Sequence, residues 1–280
     1  MSVPDYVVVG AGSAGCTVAC RLVQGGTRVA LLEAGPRDTS WRIHVPAALR
    51  PLLNDPAVNW NYKTEPVEST FGRQVSLPRG KVLGGSSSIN GMLYVRGNPA
   101  DFDGWAQRGC RGWSYQEVLP YFRSSENYKQ GGDTEYRGDD GPLEVEDYRT
   151  VLPLTHRFVR AAQEAGHPLT PDYNGAQQEG VGYSQMTRRG RFRGSTAQTY
   201  LRAVKGNSNL EIITGARGGR LIFEGRKCVG ITYRQDGSEK EVRAAKEVVL
   251  CGGAYNSPHL LQISGIGPGN HLRKIGVDVL

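Results

Sequence analysis

The sequence predicts an α/β chain: a parallel sheet joined to a β-meander, with α+β elements that include a fragment of a second domain. Three observations predict it. First, an apolar run over residues 6–9 leads through a glycine-rich turn into a helix over residues 13–24. A second apolar run over residues 28–32 follows and ends at Glu33. That strand–turn–helix–strand order, within about 30 residues, is the size of a βαβ unit. Second, short β runs over residues 210–213, 220–223 and 228–233, and another beginning at Val242, alternate with glycine-containing turns and read together as a meander. Third, an apolar strand over residues 247–250 leads back into the main sheet. After Cys251-Gly252-Gly253, Ser257-Pro258 opens a helix with a capping hydroxyl and a proline in its first turn.

Between these ends the pattern is more broken. Pro36 stops the first unit, and a polar, proline-containing stretch runs to about residue 78. Residues 79–97 are rich in Gly and Ser around an apolar patch. Residues 113–128 carry helical periodicity, with Val118, Leu119, Tyr121 and Phe122 on one face. Residues 131–141 form a charged, glycine-rich linker, residues 143–145 a brief strand, and residues 154–165 a helix that Gly166 ends. The linker and a basic stretch over residues 188–193 bracket a compositionally distinct insert. We therefore expect residues 1–141 and 196–280 to make one discontinuous domain and residues 142–195 to be a partial second domain.

Composition removes several function classes. The 38 glycines lack a short period, which means tight turns and close backbone approaches rather than a fibre. The net charge is +7, but basic residues cluster only at Arg188, Arg189, Arg191 and Arg193, which reads as a solvated loop and not as a nucleic-acid face. No run of 18 apolar residues is present, so no membrane span is expected. The chain enters a strand at Tyr6 without an apolar leader, and five cysteines occur without a CxxC pair. Both features lead us to expect reduced thiols and a cytoplasmic location. The five histidines have no metal-ligand spacing, so no metal is expected.

Gly10-Ala11-Gly12-Ser13-Ala14-Gly15 is a GxGxxG between a strand and a helix. Gly10 permits the tight turn, Gly12 lets backbone approach a pyrophosphate, and Gly15 lets helix and strand pack closely. The first N–H groups of the helix, at Ser13 and Ala14, face the phosphates with the helix dipole behind them. Glu33, followed by Ala34, closes the second strand, where a carboxylate can accept hydrogen bonds from both hydroxyls of an adenosine ribose and repel a 2′-phosphate. This Rossmann-like fingerprint serves NAD and FAD alike. The long interval before the last parallel strand, with a meander preceding it, suits a flavoprotein better.

A specific resemblance lies in the middle and near the end of the chain. The segment Arg79-Gly80-Lys81-Val82-Leu83-Gly84-Gly85-Ser86-Ser87-Ser88-Ile89-Asn90-Gly91-Met92-Leu93-Tyr94-Val95-Arg96-Gly97 resembles the first signature of the glucose–methanol–choline (GMC) oxidoreductases. The segment from Gly253-Ala254-Tyr255-Asn256-Ser257-Pro258 to Gly265-Ile266-Gly267 resembles the second. Trp105, Gly112-Trp113-Ser114-Tyr115, Leu119-Pro120-Tyr121-Phe122, Asp172-Tyr173-Asn174-Gly175, Ser195-Thr196 and Tyr200-Leu201 are also similar to this family. The likeness covers essentially the whole chain and is greatest to the bacterial choline dehydrogenase and alcohol dehydrogenase members.

The resemblance implies an FAD cofactor. Arg79, Val82, Gly84, Gly85, Ser86, Asn90, Gly91, Met92, Leu93 and Gly253 are expected near it, the glycines removing side chains and Ser86, Ser87 and Asn90 supplying short polar groups. Where some members attach FAD through a histidine, this sequence has Ile89, so the flavin is expected to be noncovalent. Where relatives have a valine whose backbone meets adenine, it has Gly218, followed by Gly219, which implies a looser strand. The family removes two electrons from small-molecule alcohols, with a base taking the hydroxyl proton. Its members are about twice this length, and the catalytic histidine with its His or Asn partner is expected beyond Leu280, on a missing segment or a second chain. His44, His156, His167, His259 and His271 do not fall at that motif. A noncatalytic FAD-binding remnant and an FAD-containing lyase are the alternative readings.

Overall fold

A computed structural model describes residues 3–280 and resolves them into two compact units, residues 3–90 with 195–280, and Gly91–Gly194. The first unit is built on a four-stranded sheet in the order Glu247–Leu250, Tyr6–Val9, Val29–Glu33, Leu210–Thr214, every neighbour parallel. Parallel sheets are covered on both faces, so their strands read as continuous apolar runs. Val29–Glu33 (Val-Ala-Leu-Leu-Glu) is buried at all five positions. Alternation along the strands divides the core in two. Val8, Val29 and Leu31 pack with Cys16, Ala19, Cys20 and Val23, a stripe at helical spacing on the helix Ser13–Gln24. Val7, Val9, Ala30 and Leu32 point to the other face, against Ile231, Tyr233 and Leu260.

The run beginning at Leu210 therefore does not open the meander, as its sequence suggested. It is the fourth parallel strand, because Leu210 and Ile212 pack on one face of the sheet and Ile213 on the other. The meander consists of the antiparallel strands Arg217–Glu224, Lys227–Gln235 and Ser238–Arg243. The helix after Leu250 spans Gly253–Ile263, with Pro258 inside it instead of in its first turn.

The second unit has a sheet in the order Glu126–Tyr128, Leu143–Asp147, Gln185–Arg189, Phe192–Arg193. Three helices, Pro99–Gln107, Tyr115–Ser125 and Pro153–Glu164, belong to it. Asn98 caps the first by accepting from the Ala100 N–H, and Ser114 with Glu117 forms a capping box on the second. The helical pattern expected through residue 128 stops at Ser125, because residues 126–128 pair in parallel with residues 143–145. That pairing also moves the domain boundary. Expected after residue 141, it falls after Asn90, and the residues from Gly91 onward join the insert.

Charge is what the sequence hid in this unit. Glu126 is fully buried and pairs with Arg96 at 2.9 Å and Arg137 at 2.7 Å, and Arg137 also meets Asp172 at 2.6 Å. The Arg137 guanidinium lies 3.7 Å from the centre of the Tyr128 ring. The linker that carries Arg137 is thus stitched into the unit. The basic stretch is not a solvated loop either: Arg188 pairs with Glu146 at 3.2 Å, Arg189 with Glu144 at 3.7 Å, and Arg193 is buried, which draws its pKa down to about 10.

Helix and strand in the first unit meet backbone to backbone. A Cβ added at Gly15 would lie 1.8 Å from the Gly10 carbonyl oxygen. Gly15→Ala is therefore expected to destabilise the fold by about 1–3 kcal/mol, the usual range for overpacking. A urea titration followed by circular dichroism should give a lower midpoint with an unchanged slope.

Candidate functional site

The carboxyl ends of the parallel strands converge on one turn. Gly10 N–H donates to the Leu32 carbonyl at 2.8 Å, and Cys251 N–H donates to the Val9 carbonyl at 2.8 Å. Open parallel sheets place ligands at such strand ends. The helix Ser13–Gln24 starts there with Gly12 at its N-cap and no side-chain cap, which leaves its first N–H groups directed at the cleft. At Gly12 an added Cβ would find its nearest neighbour 3.9 Å away, although Gly12 lines the cleft. A side chain there would fill the space that a phosphate needs.

The second glycine-rich segment lies directly on this turn. Gly84 N–H donates to the Ala11 carbonyl at 2.8 Å. Gly85 adopts φ +54°, and a Cβ on it would come within 2.6 Å of the Gly12 Cα. Two of the neighbouring serines are already engaged: Ser87 Oγ donates to the Gly84 carbonyl at 2.6 Å and accepts from Thr196 N–H at 3.0 Å, and Ser88 Oγ donates to the Leu83 carbonyl at 2.8 Å. Ser86, whose hydroxyl accepts from Gly80 N–H at 3.1 Å, is the serine on the cleft wall.

Glu33 is 5% exposed. Its carboxylate accepts from Ala11 N–H at 3.0 Å through one oxygen and from Gly35 N–H at 2.9 Å through the other. Burial raises its pKa from 4.5 to about 7, opposed by the N–H groups of Gly35, Ala11 and Ala34 and by the charge of Lys81. Each oxygen keeps lone-pair capacity for a hydroxyl donor. All five cysteines are free, and burial pushes the Cys16 thiol up to about 12.

Together these groups bound a cleft of about 920 Å³ within the first unit. Gly10, Gly12, Ser13, Ala14, Glu33, Ala34, Arg79, Gly85, Ser86, Gly218 and Gly253 all line it. Gly15, Val82, Gly84 and Asn90 belong to the same unit but not to the wall, and Val82 packs in an apolar cluster with Ile43, Leu52, Val58 and Ile89. Gly91, Met92 and Leu93 belong to the second unit. There the Met92 carbonyl accepts from Thr187 N–H at 2.8 Å, and Leu93 bridges to Met186. At Gly218 the strand pairs with Tyr233, and its register shifts before Leu221, a local irregularity next to the glycine pair.

The sequence reading missed an aromatic and cationic wall. Trp60 stacks on Tyr62 with ring centres 5.8 Å apart, and Tyr255 meets Tyr62 edge-on at 6.1 Å. Arg79 lies 4.9 Å from the centre of the Tyr255 ring and Arg217 lies 5.8 Å from that of Trp60. Tyr62 donates its hydroxyl to Asn256 Oδ1 at 2.7 Å. All six line the cleft. The available signal was the period-two placement of Trp60 and Tyr62 beside a short strand. A helix start without a side-chain cap, a buried carboxylate and an aromatic wall make a site that fits a dinucleotide. Among the described residues no group of three His, Cys, Asp or Glu could hold a metal ion, and no helix is long and apolar enough to cross a membrane.

Known proteins resemble the chain over nearly its whole length. It is 47% identical over 284 residues to a mitochondrial choline dehydrogenase of Homo sapiens, which covers 99% of this chain and 48% of that protein. A pyridoxine 4-oxidase from Mesorbium loti superposes with a TM-score of 0.94 at 38% identity, covering 99% of this chain and 55% of the other. A formate oxidase of Aspergillus oryzae, from work on its FAD modification, gives a TM-score of 0.91 at 30% identity over 99% of this chain and 50% of the other. The chain thus spans about half the length of the curated relatives it matches. The family model described as GMC oxidoreductase matches residues 4–279, and the chain belongs to the GMC oxidoreductase family.

Proposed function

We propose that this chain binds FAD noncovalently in the cleft of its first unit and forms the cofactor-holding part of an oxidoreductase acting on small-molecule alcohols, of choline dehydrogenase type. One observation carries the reading: Gly10, Gly12, Ser13 and Ala14 of the turn, Glu33, and Arg79, Gly80, Gly85 and Ser86 of the second glycine-rich segment line one cleft. The names of the relatives support the substrate class, and the FAD named for the formate oxidase supports the cofactor.

Bound FAD supplies the acceptor for a hydride from the alcohol carbon. The chain's own residues bind and orient. N–H groups at Ser13 and Ala14 and the helix dipole hold the pyrophosphate. Glu33 accepts from ribose hydroxyls, Gly12 and Gly85 let backbone approach, and Gly218 and Gly253 offer backbone at the cleft's far wall. Val82, Gly84 and Asn90 set the path of the segment that carries Gly85 and Ser86. Gly91, Met92 and Leu93 are assigned to the flavin edge by family resemblance. Ile89 carries no nucleophilic atom and is 2% exposed, which supports a noncovalent flavin.

In this reading residues 3–90 and 195–280 are the FAD-binding unit, and Gly91–Gly194 begins the substrate-binding unit. The sequence resemblance leads us to expect the family's proton-accepting histidine beyond Leu280. The half of the relatives that this chain does not match is supplied in the same protein or by a partner chain. The five free thiols support a reducing compartment such as the cytoplasm.

Three outcomes are expected. The purified chain should show flavin absorbance, and Glu33→Ala should weaken FAD binding by about 10- to 100-fold, the worth of one or two hydrogen bonds to a charged group. The far-ultraviolet circular dichroism should stay native, and unchanged affinity would refute the ribose assignment. Acid precipitation should leave the yellow colour in the supernatant, whereas flavin in the washed, denatured pellet would mean a covalent link. The FAD-loaded 280 residues alone should not oxidise choline or simple primary alcohols with an artificial acceptor. Turnover near about 1 s⁻¹, the low end for ordinary enzymes, would mean that a base lies within them.

A further inference from the structure

We propose that Lys63 and Arg217, two residues outside both glycine-rich signatures, form with Arg79 a cationic collar on the cleft that captures the cofactor by the charge of its diphosphate and sets how fast it loads. This rests on the FAD reading for the flavin but not for the attraction of a diphosphate.

The charges on this cleft are unbalanced. Lys63, Arg79 and Arg217 line it, and Glu33 is the one carboxylate that does so among the described residues. Glu33 is buried and faces the N–H groups of Ala11 and Gly35. The helix start on the same cleft adds positive potential, with no acidic residue in its first turn. Elsewhere in the unit, Arg28 and Lys246 pair with Asp5, and Arg243 pairs with Glu224 and Glu241. None of the three collar residues has a carboxylate partner among the described residues.

Each is placed by neighbours that leave its charge uncompensated. Arg79 lies 4.9 Å from the centre of the Tyr255 ring, and its guanidinium donates to the Pro78 carbonyl at 2.6 Å. Arg217 lies 5.8 Å from the centre of the Trp60 ring. Its strand is tied to the end of the parallel sheet, where Ala216 N–H donates to the Glu33 carbonyl at 2.9 Å. Lys63 sits on the short strand Tyr62–Lys63, which pairs with Ser76–Leu77 and is fixed by the bond from the Tyr62 hydroxyl to Asn256. A ring face or a carbonyl attracts a cation but carries no net charge, so the field of all three reaches the solvent.

Magnitudes decide what such a collar does. Lys63 and Arg217 are exposed. A water-bathed ion pair adds little to a finished complex, because solvent screens it and a long side chain must be immobilised. The approach of a ligand is different. A cleft of one sign focuses its field and raises capture rates about 10- to 1000-fold. The pyrophosphate of a dinucleotide is doubly negative, so it feels that field before any contact forms. Charges on the rim of a site therefore act on the association rate and its salt dependence, and leave dissociation nearly alone.

The test is stopped-flow flavin fluorescence, which reads both rate constants as FAD meets the 280-residue chain freed of flavin. The wild-type association rate constant should fall about tenfold between about 20 and 500 mM salt, as the Debye length shrinks from roughly 20 to 4 Å. At the lower salt, Lys63→Gln and Arg217→Gln should each lower it about threefold, the effect of one charge on a doubly negative group across about 10 Å of water, and the double variant about tenfold. Dissociation should change by less than about twofold. Arg217→Lys, which keeps the charge and gives up the planar guanidinium, should load at the wild-type rate. The proposal is overturned if association is independent of salt, if the Gln variants change dissociation and not association, or if Arg217→Lys is as slow as Arg217→Gln. A chain that takes up no FAD would sink the FAD reading, and calorimetry with ADP-ribose would then decide the collar. Binding that weakens with salt and in the double variant keeps it, whereas binding indifferent to both, or no binding, overturns it.

Discussion

The cleft of the first unit depends on three backbone segments approaching with no side chains between them. The turn at Gly10–Gly15, the segment at Gly84-Gly85 and the strand end at Cys251 share one small volume. A Cβ at Gly10 would come within 2.6 Å of the Cys251 carbonyl oxygen, and one at Gly85 within 2.6 Å of the Gly12 Cα. Close approach leaves main-chain groups on the cleft wall, and Glu33 ties two of the segments together through Ala11 and Gly35 N–H.

The second unit is organised on a different principle. Its sheet is small, and a network of buried charge takes much of the place of an apolar core. Glu126 is held between Arg96 and Arg137, with Asp172, Gln185 and Asn174 completing the hydrogen bonds. A buried carboxylate between two guanidiniums is expensive to desolvate, and removing one partner would leave an uncompensated buried charge.

How legible this was in the sequence depended on how local the signal is. The helix Ser13–Gln24 and the strands flanking it were readable because apolar spacing and the glycine turn agree over 30 residues or so. Residues 126–128 were misread as helix because their helical periodicity is local, while their pairing with residues 143–145 is set by tertiary contact. The run at Leu210 was placed in the meander because two-sided burial cannot be told from one-sided burial in so short a strand. The cleft's glycines and Glu33 were legible through a motif with a mechanism. Trp60, Tyr62 and Tyr255 were not, because only folding brings residues so far apart in sequence onto one wall. The charged linker looked solvated because nothing local reveals that Arg137 has Glu126 for a partner.

The order of strands in the parallel sheet also bears on how the chain is made. Tyr6–Val9 lies inside the sheet, between Val29–Glu33, synthesised almost at once, and Glu247–Leu250, synthesised near the end. At roughly 5–20 residues per second, the first strand leaves the ribosome tens of seconds before its second neighbour. The early βαβ unit must wait with an open, apolar strand edge while the whole insert emerges. Folding of this sheet is therefore governed by long-range closure more than by any local propensity.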